Sequence, residues 1–392
     1  MTRTLVQKLK FIAATLSVVA LGTTSYHAYA ADCETYPVSP TGTVLVAKPT
    51  ITWRLVPALG TKIAKVSVTV DNKPVTSQYN DSTQSVTYSF TAPLNPGIYA
   101  VDCTVTFDDD TDIDKSWTFT VAKNALQALP KPTPEQLAAA ERVNAYRHAL
   151  NLPPLDLNPA LCAAAAAHST YLKDNSTQGH DELESNADFV GQGPADRVAA
   201  FGYSASSYED LCYGTKDIAN IVQQLFDAPY HRTPFLQPGT TDVGMAVAGS
   251  KATIEFGVSS DSGTTCFPAE NTPINTLTWM DRETPNPLRL WGGPSLVGYP
   301  ITFCYFSGDS EAITVPEASL TVNGHDVPIY LNTPANDNHL TNSAILIPKF
   351  ALLPNKTYTV WVKAATASGK DITRTWKFST LGNREASNHV TD

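Results

Sequence analysis

The sequence predicts a multidomain chain in which a central α+β domain is held between two all-β sandwiches. Three observations carry this. Apolar and polar residues alternate over 33–123 and again over 295–380. Those two stretches repeat each other. The region between them changes to alanine-rich, capped helical segments followed by paired strands. At 392 residues the chain exceeds one ordinary domain, and its 42% hydrophobic and 16% charged residues describe a folded protein.

Residues 1–30 read as a signal peptide. Arg3, Lys8 and Lys10 form a basic start, and Phe11 to Gly22 is an apolar run too short to span a membrane comfortably. Ala28-Tyr29-Ala30 is a small-x-small cleavage pattern, and Cys33 lacks the small-residue lipobox of a lipid anchor. The expectation is a secreted product, extracellular or periplasmic, with no membrane span. Loss of three positive charges takes the net charge from −10 to −13. So acidic a protein is poorly suited to nucleic acid or anionic membrane.

The front domain, 31–123, shows strand alternation in Ala64 to Val70, Val86 to Phe90 and Tyr99 to Val101, with Asp71-Asn72 and Asn95-Pro96-Gly97 as turns. Near the end, Ser67-Val68-Thr69-Val70-Asp71-Asn72 is echoed by Ser319-Leu320-Thr321-Val322-Asn323-Gly324. Tyr99, Val101, Trp117 and Phe119 are echoed at identical spacing by Tyr358, Val360, Trp376 and Phe378. Both domains read as immunoglobulin-like sandwiches with these aromatics in the core. A linker is expected at 124–133, a second at 261–294, and a loose tail at 381–392.

The middle domain is expected over 134–260. Thr133 caps a first helix, with Pro134 in its first turn and Gln136 closing a capping box. Asn158-Pro159 starts a second, and Asp217 caps a third whose Ile218, Ile221, Val222 and Leu225 face inward. Paired strands follow at Val243–Val247 and Ala252–Phe256. The polar residues concentrate between Gly179 and Gly244. His168, on an alanine-rich stripe, reads as a satisfied interior histidine.

Six cysteines follow the signal segment, an even count that implies disulfides in an exported chain. The simplest of the fifteen pairings is sequential: Cys33–Cys103, Cys162–Cys212 and Cys266–Cys304.

The middle region resembles a CAP domain, the superfamily of cysteine-rich secretory proteins, venom antigens and pathogenesis-related proteins, in its bacterial branch. The matching pieces are Val143-Asn144-Ala145-Tyr146-Arg147, Leu152-Pro153-Pro154-Leu155, Ala166-Ala167-His168-Ser169, Gly179-His180, Asp196-Arg197, Gly202-Tyr203, Glu209, Pro229-Tyr230-His231-Arg232 and Asp242-Val243-Gly244. The resemblance implies an α-β-α sandwich with a cleft lined by two histidines and two acidic residues. His180 and His231 match the histidines and Glu209 the first acid, although the usual Glu-Asn pair is here Glu209-Asp210. For the second acid the third helix offers Asp227, one residue out of register, and Leu225 stands in place of that helix's tryptophan.

The expected cleft therefore comprises His180, Glu209, His231, Asp227, Arg197 and Arg232. Two imidazoles and a carboxylate, His180, His231 and Glu209, would suit a divalent metal such as zinc. The leading expectation is a binding protein for a lipid, peptide or protein ligand. One rival is a metal-assisted peptidase or esterase with Glu209 as base. Another is an adhesion module acting through the β-sandwiches. No HExxH helix or nucleophile elbow is present.

Overall fold

The computed structural model describes residues 33–259, 262–308 and 311–382; the expected signal peptide and most of the expected tail lie outside them. Front strands are β1 (Cys33–Ser39), β2 (Gly42–Val46), β3 (Thr50–Pro57), β4 (Ile63–Val70), β5 (Lys73–Val75), β6 (Gln78–Asn80), β7 (Ser85–Ser89), β8 (Gly97–Phe107) and β9 (Asp112–Leu126). They form two sheets, β1-β3-β7-β6 and β2-β9-β8-β4-β5, closed over a core that includes Trp53, Val101, Phe107 and Phe119.

In the middle lie α1 (Pro134–Ala149), β10 (Asp156–Leu157), α2 (Pro159–Asp174), α3 (Pro194–Ala200), β11 (Ser206–Tyr213), α4 (Ile218–Asp227), α5 (Thr233–Leu236), β12 (Thr240–Ala248) and β13 (Lys251–Val258). The Thr133–Gln136 capping box forms, and Asn158 and Asp217 cap α2 and α4 with their side chains. The sheet order is β10-β12-β13-β11, which leaves β11 at an edge. α1 and α4 cover one face through Val143, Ile221, Leu225 and Phe226 against Met245, Ile254 and Phe256. α2 covers the other so closely that a Cβ on Gly244 would lie 2.3 Å from Leu161. The result is an α-β-α sandwich.

Rear strands are β14 (Gly263–Phe267), β15 (Pro273–Ile274), β16 (Thr278–Trp279), β17 (Val297–Gly298), β18 (Ile301–Phe306), β19 (Ile313–Val322), β20 (His325–Asp326), β21 (Ile329–Asn332), β22 (Ser343–Pro348), β23 (Thr357–Thr366) and β24 (Arg374–Thr380). The larger sheets are β14-β18-β22-β21 and β15-β24-β23-β19-β20. The stretch 261–294, expected as a linker, supplies β14, β15, β16 and a 3₁₀ turn at Pro287–Trp291. Its Ile274, Trp279 and Leu288 are part of the rear core.

The repeat extends to strand register. Tyr99 pairs with Phe119 and Val101 with Trp117 across β8/β9, as Tyr358 pairs with Phe378 and Val360 with Trp376 across β23/β24. The two Tyr–Phe pairs stack at 5.5 and 5.3 Å. Both β4 and β19 end in hairpins with positive φ at both turn residues, Asp71-Asn72 and Asn323-Gly324.

All six cysteines are free thiols, against the expected disulfides. Cys162 lies on α2, whereas Cys212 turns to the opposite face of the sheet, 3.7 Å from Gln224 of α4. Cys266 pairs with Phe303 and Cys304 with Thr265, so their side chains point to opposite faces of one sheet.

Candidate functional site

The site is organised around β11, because alternation along a strand sends neighbouring side chains to opposite faces. Glu209 points to the α2 side and Asp210 to the α4 side. Two buried clusters follow, joined through one strand.

On the α2 side, Glu209 Oε1 accepts from His180 Nδ1 at 2.8 Å and Oε2 from Arg197 Nη2 at 2.7 Å. Glu209 and Arg197 are sealed from solvent, while the His180 side chain is 51% exposed. α3 delivers Arg197, which also reaches the carbonyls of Gly191 and Gln192. His168 of α2 is fully buried; its Nδ1 lies 2.8 Å from Glu182 and its Nε2 3.1 Å from the Gly179 carbonyl. Glu182 in turn accepts from the Val190 amide at 2.8 Å. Glu255, directly across the ladder from Glu209, is buried with neither oxygen hydrogen-bonded.

Electrostatics sorts these acids. Burial would raise Glu209, but the His180 hydrogen bond and the charges of Arg197 and His168 outweigh it, leaving its pKa below the ordinary value. Glu255 is pushed well above the ordinary range by burial and then by the Glu209 charge. One member of the pair is therefore ionised and the other protonated, which avoids two like charges in a dry site.

On the α4 side, His231 Nδ1 donates to Glu283 Oε2 at 3.1 Å, and the Tyr230 amide donates to the same oxygen at 3.2 Å. Asp210 lies near both histidines. Burial lifts it to about 7, against the charges of His231 and His180 and with those of Glu283 and Glu209. His231 is lowered by burial but raised further by Glu283 and Asp210, to about 9. Burial also lifts Glu283, more than His231 lowers it. Asp210 Oδ2 and Glu283 Oε1 have no hydrogen-bond partner.

The structure thus joins His180, Glu209 and Arg197, and places His231 with Asp210 and Glu283. Asp227 and Arg232 lie elsewhere. Asp227 accepts from Tyr299 at 2.6 Å and from Gln223 at 2.7 Å. Arg232 is fully buried and donates to the carbonyls of Phe226 (2.7 Å) and Pro300 (3.0 Å) and the Thr302 hydroxyl (2.9 Å). Both fasten the middle domain to the rear one. Sequence reasoning missed Glu182, Glu255 and Glu283. An acid inside the apolar run Ala252–Phe256 was a signal for Glu255; Glu283 had none, since its partner lies 52 positions away.

Both Glu209 oxygens are engaged, one by the Arg197 cation, and His231 is tied to a different acid. Among the described residues no three His, Cys, Asp or Glu side chains are grouped to hold a metal ion.

Beside β11 lies a groove of about 390 Å³ between the middle and rear domains. It is lined by Tyr208, Glu209 and Asp210, by Tyr230, Thr233 and Gln237, and by Phe306 with residues 339–343. Of the tyrosines near the cleft, Tyr208 and Tyr230 reach this groove. Tyr203 instead donates to Asp242 at 3.0 Å.

An α-β-α sandwich whose edge strand carries this histidine–acid site is the architecture of a CAP domain. Residues 140–260 match the family model described as "Cysteine-rich secretory protein family", and this middle segment is a CAP domain. The chain is similar to an extracellular protein containing a SCP domain from Bacillus anthracis: 16% identity, 53% of this chain and 82% of that one, TM-score 0.29. It is similar to a cysteine-rich secretory protein from Staphylococcus aureus: 12% identity, 58% of this chain and 89% of that one, TM-score 0.25. An outer surface protein from Borrelia burgdorferi matches at 18% identity over 34% of this chain and 98% of its own, TM-score 0.28. No curated protein matches the chain. Among the described residues no helix is long and apolar enough to cross a membrane.

Proposed function

We propose that this chain is an exported binding protein whose CAP domain takes its ligand in the groove between β11 and the rear domain. Export is supported by the signal-like pattern of residues 1–30. Binding is supported above all by the groove, whose volume of about 390 Å³ falls within the range of small-ligand sites. Its walls mix aromatic and polar side chains from two domains, and domain boundaries are favoured places for ligands.

Hydrolysis through Glu209 is the weaker reading. A carboxylate engaged at both oxygens, and held below its ordinary pKa, is a poor base at neutral pH. A thermal-shift screen of amino acids, short peptides, fatty acids, sterols and sugars tests the binding reading. The comparison protein is Thr341→Trp, which fills the groove from an exposed position. Ligands that stabilise the native protein and lose that effect in Thr341→Trp are expected. A screen without hits, or hits indifferent to the substitution, contradicts it.

A further inference from the structure

From the way the groove meets β11, we infer that its occupant is an extended peptide that adds as a strand to the open edge of the central sheet. This deepens the binding reading above and rests on it.

Tyr208, Glu209 and Asp210 are consecutive on one strand, yet all three line the groove. Tyr208 and Asp210 point to the α4 side of the sheet and Glu209 to the α2 side, so Glu209 reaches the groove through its backbone. The Glu209 and Asp210 side chains are moreover buried, at 1% exposure for the Glu209 side chain and 6% for Asp210 as a residue. What Glu209 offers the groove is backbone. The groove runs along the strand edge.

That edge is open. β11 pairs with β13 on one side, and among the described residues no strand lies on its other side. Alternate residues of an edge strand direct their N–H and C=O groups outward, and an added strand satisfies them. Three lining residues on β11 correspond to roughly 10 Å of extended chain, about three residues.

Side-chain chemistry narrows the class. Alternate peptide side chains would fall toward Tyr208, half exposed, and toward the exposed His180. The acids Glu209, Asp210 and Glu283 lie around this edge, with Arg197 and His231 as the cations bonded to Glu209 and Glu283. A peptide without acidic side chains is therefore preferred.

The test uses the full chain and a library of acetylated, amidated pentapeptides with randomised side chains, read by affinity selection and then calorimetry on the selected member. The selected peptide is next made with N-methyl groups at alternate amides, which keeps its side chains and removes backbone donors. Strand addition predicts a loss of at least about tenfold on one N-methylation register and little on the other, weaker binding by Tyr208→Ala, and slowed amide exchange within 206–213. Equal binding of both N-methylated registers and the parent overturns strand addition. A library with no binder overturns the peptide assignment, and the binding reading itself then survives only if a non-peptide ligand sensitive to Thr341→Trp emerges from the thermal screen.

Discussion

His231 donates to Glu283 at 3.1 Å across 52 positions of sequence, from the CAP domain to the segment that opens the rear sandwich. The rear domain thereby supplies an acid that α4 does not bring to this histidine, since Asp227 of α4 is turned to Tyr299. The cleft of this chain is built by two domains.

Stability should fall as pH rises. His231 has a folded pKa of about 9 against an ordinary 6.5, so its contribution is complete below 6.5 and lost as pH passes about 9. Asp210, lifted from 3.8 to about 7, also binds its proton more tightly when folded, and its ionisation costs stability as pH climbs toward and past 7. Asp210→Asn should therefore be more stable than the native protein at pH 8, on the order of 2–4 kcal/mol, and little changed at pH 4. Urea unfolding at the two pH values checks this.

Arg197 and Glu255 should respond in opposite ways. Arg197→Met leaves the Glu209 carboxylate buried without its guanidinium partner, a loss of roughly 3 kcal/mol or more. Glu255 is held protonated by burial and by its neighbour Glu209, so the neutral amide of Glu255→Gln should stay within about 1 kcal/mol of native. Denaturant midpoints of the two variants decide.

Arg232 ties three elements with its planar fork. Arg232→Lys keeps the charge but cannot reach Phe226, Pro300 and Thr302 together, and should cost roughly 2–4 kcal/mol. Calorimetry should show middle and rear domains melting together in the native protein and separating in the variant.

Thiol counting tests the cysteine state. Five of the six thiols are buried and Cys33 is partly exposed, so one should react in the native protein and six after unfolding. Fewer than six after unfolding under non-reducing conditions would indicate a disulfide.

Much of this architecture was legible in the residues. The Tyr-x-Val and Trp-x-Phe spacings anticipated paired registers because a strand period of two fixes which residues share a face. Helix caps at Thr133, Asn158 and Asp217 were readable because they are local. His180 and Glu209 could be linked by resemblance. The stretch 261–294 reads as linker because strands such as β15 are two residues long and pair far away, β15 with β24 over a hundred positions onward. Glu283, likewise, gains meaning only from long-range packing, and counting cysteines carries no information about which face a thiol occupies.

The two-domain cleft is tested most directly by NMR titration of the His231 ring. The expected result is a ring that keeps its proton to about pH 9 and loses it at clearly lower pH in Glu283→Gln. A ring that titrates near its ordinary 6.5, unchanged by that substitution, would contradict the account.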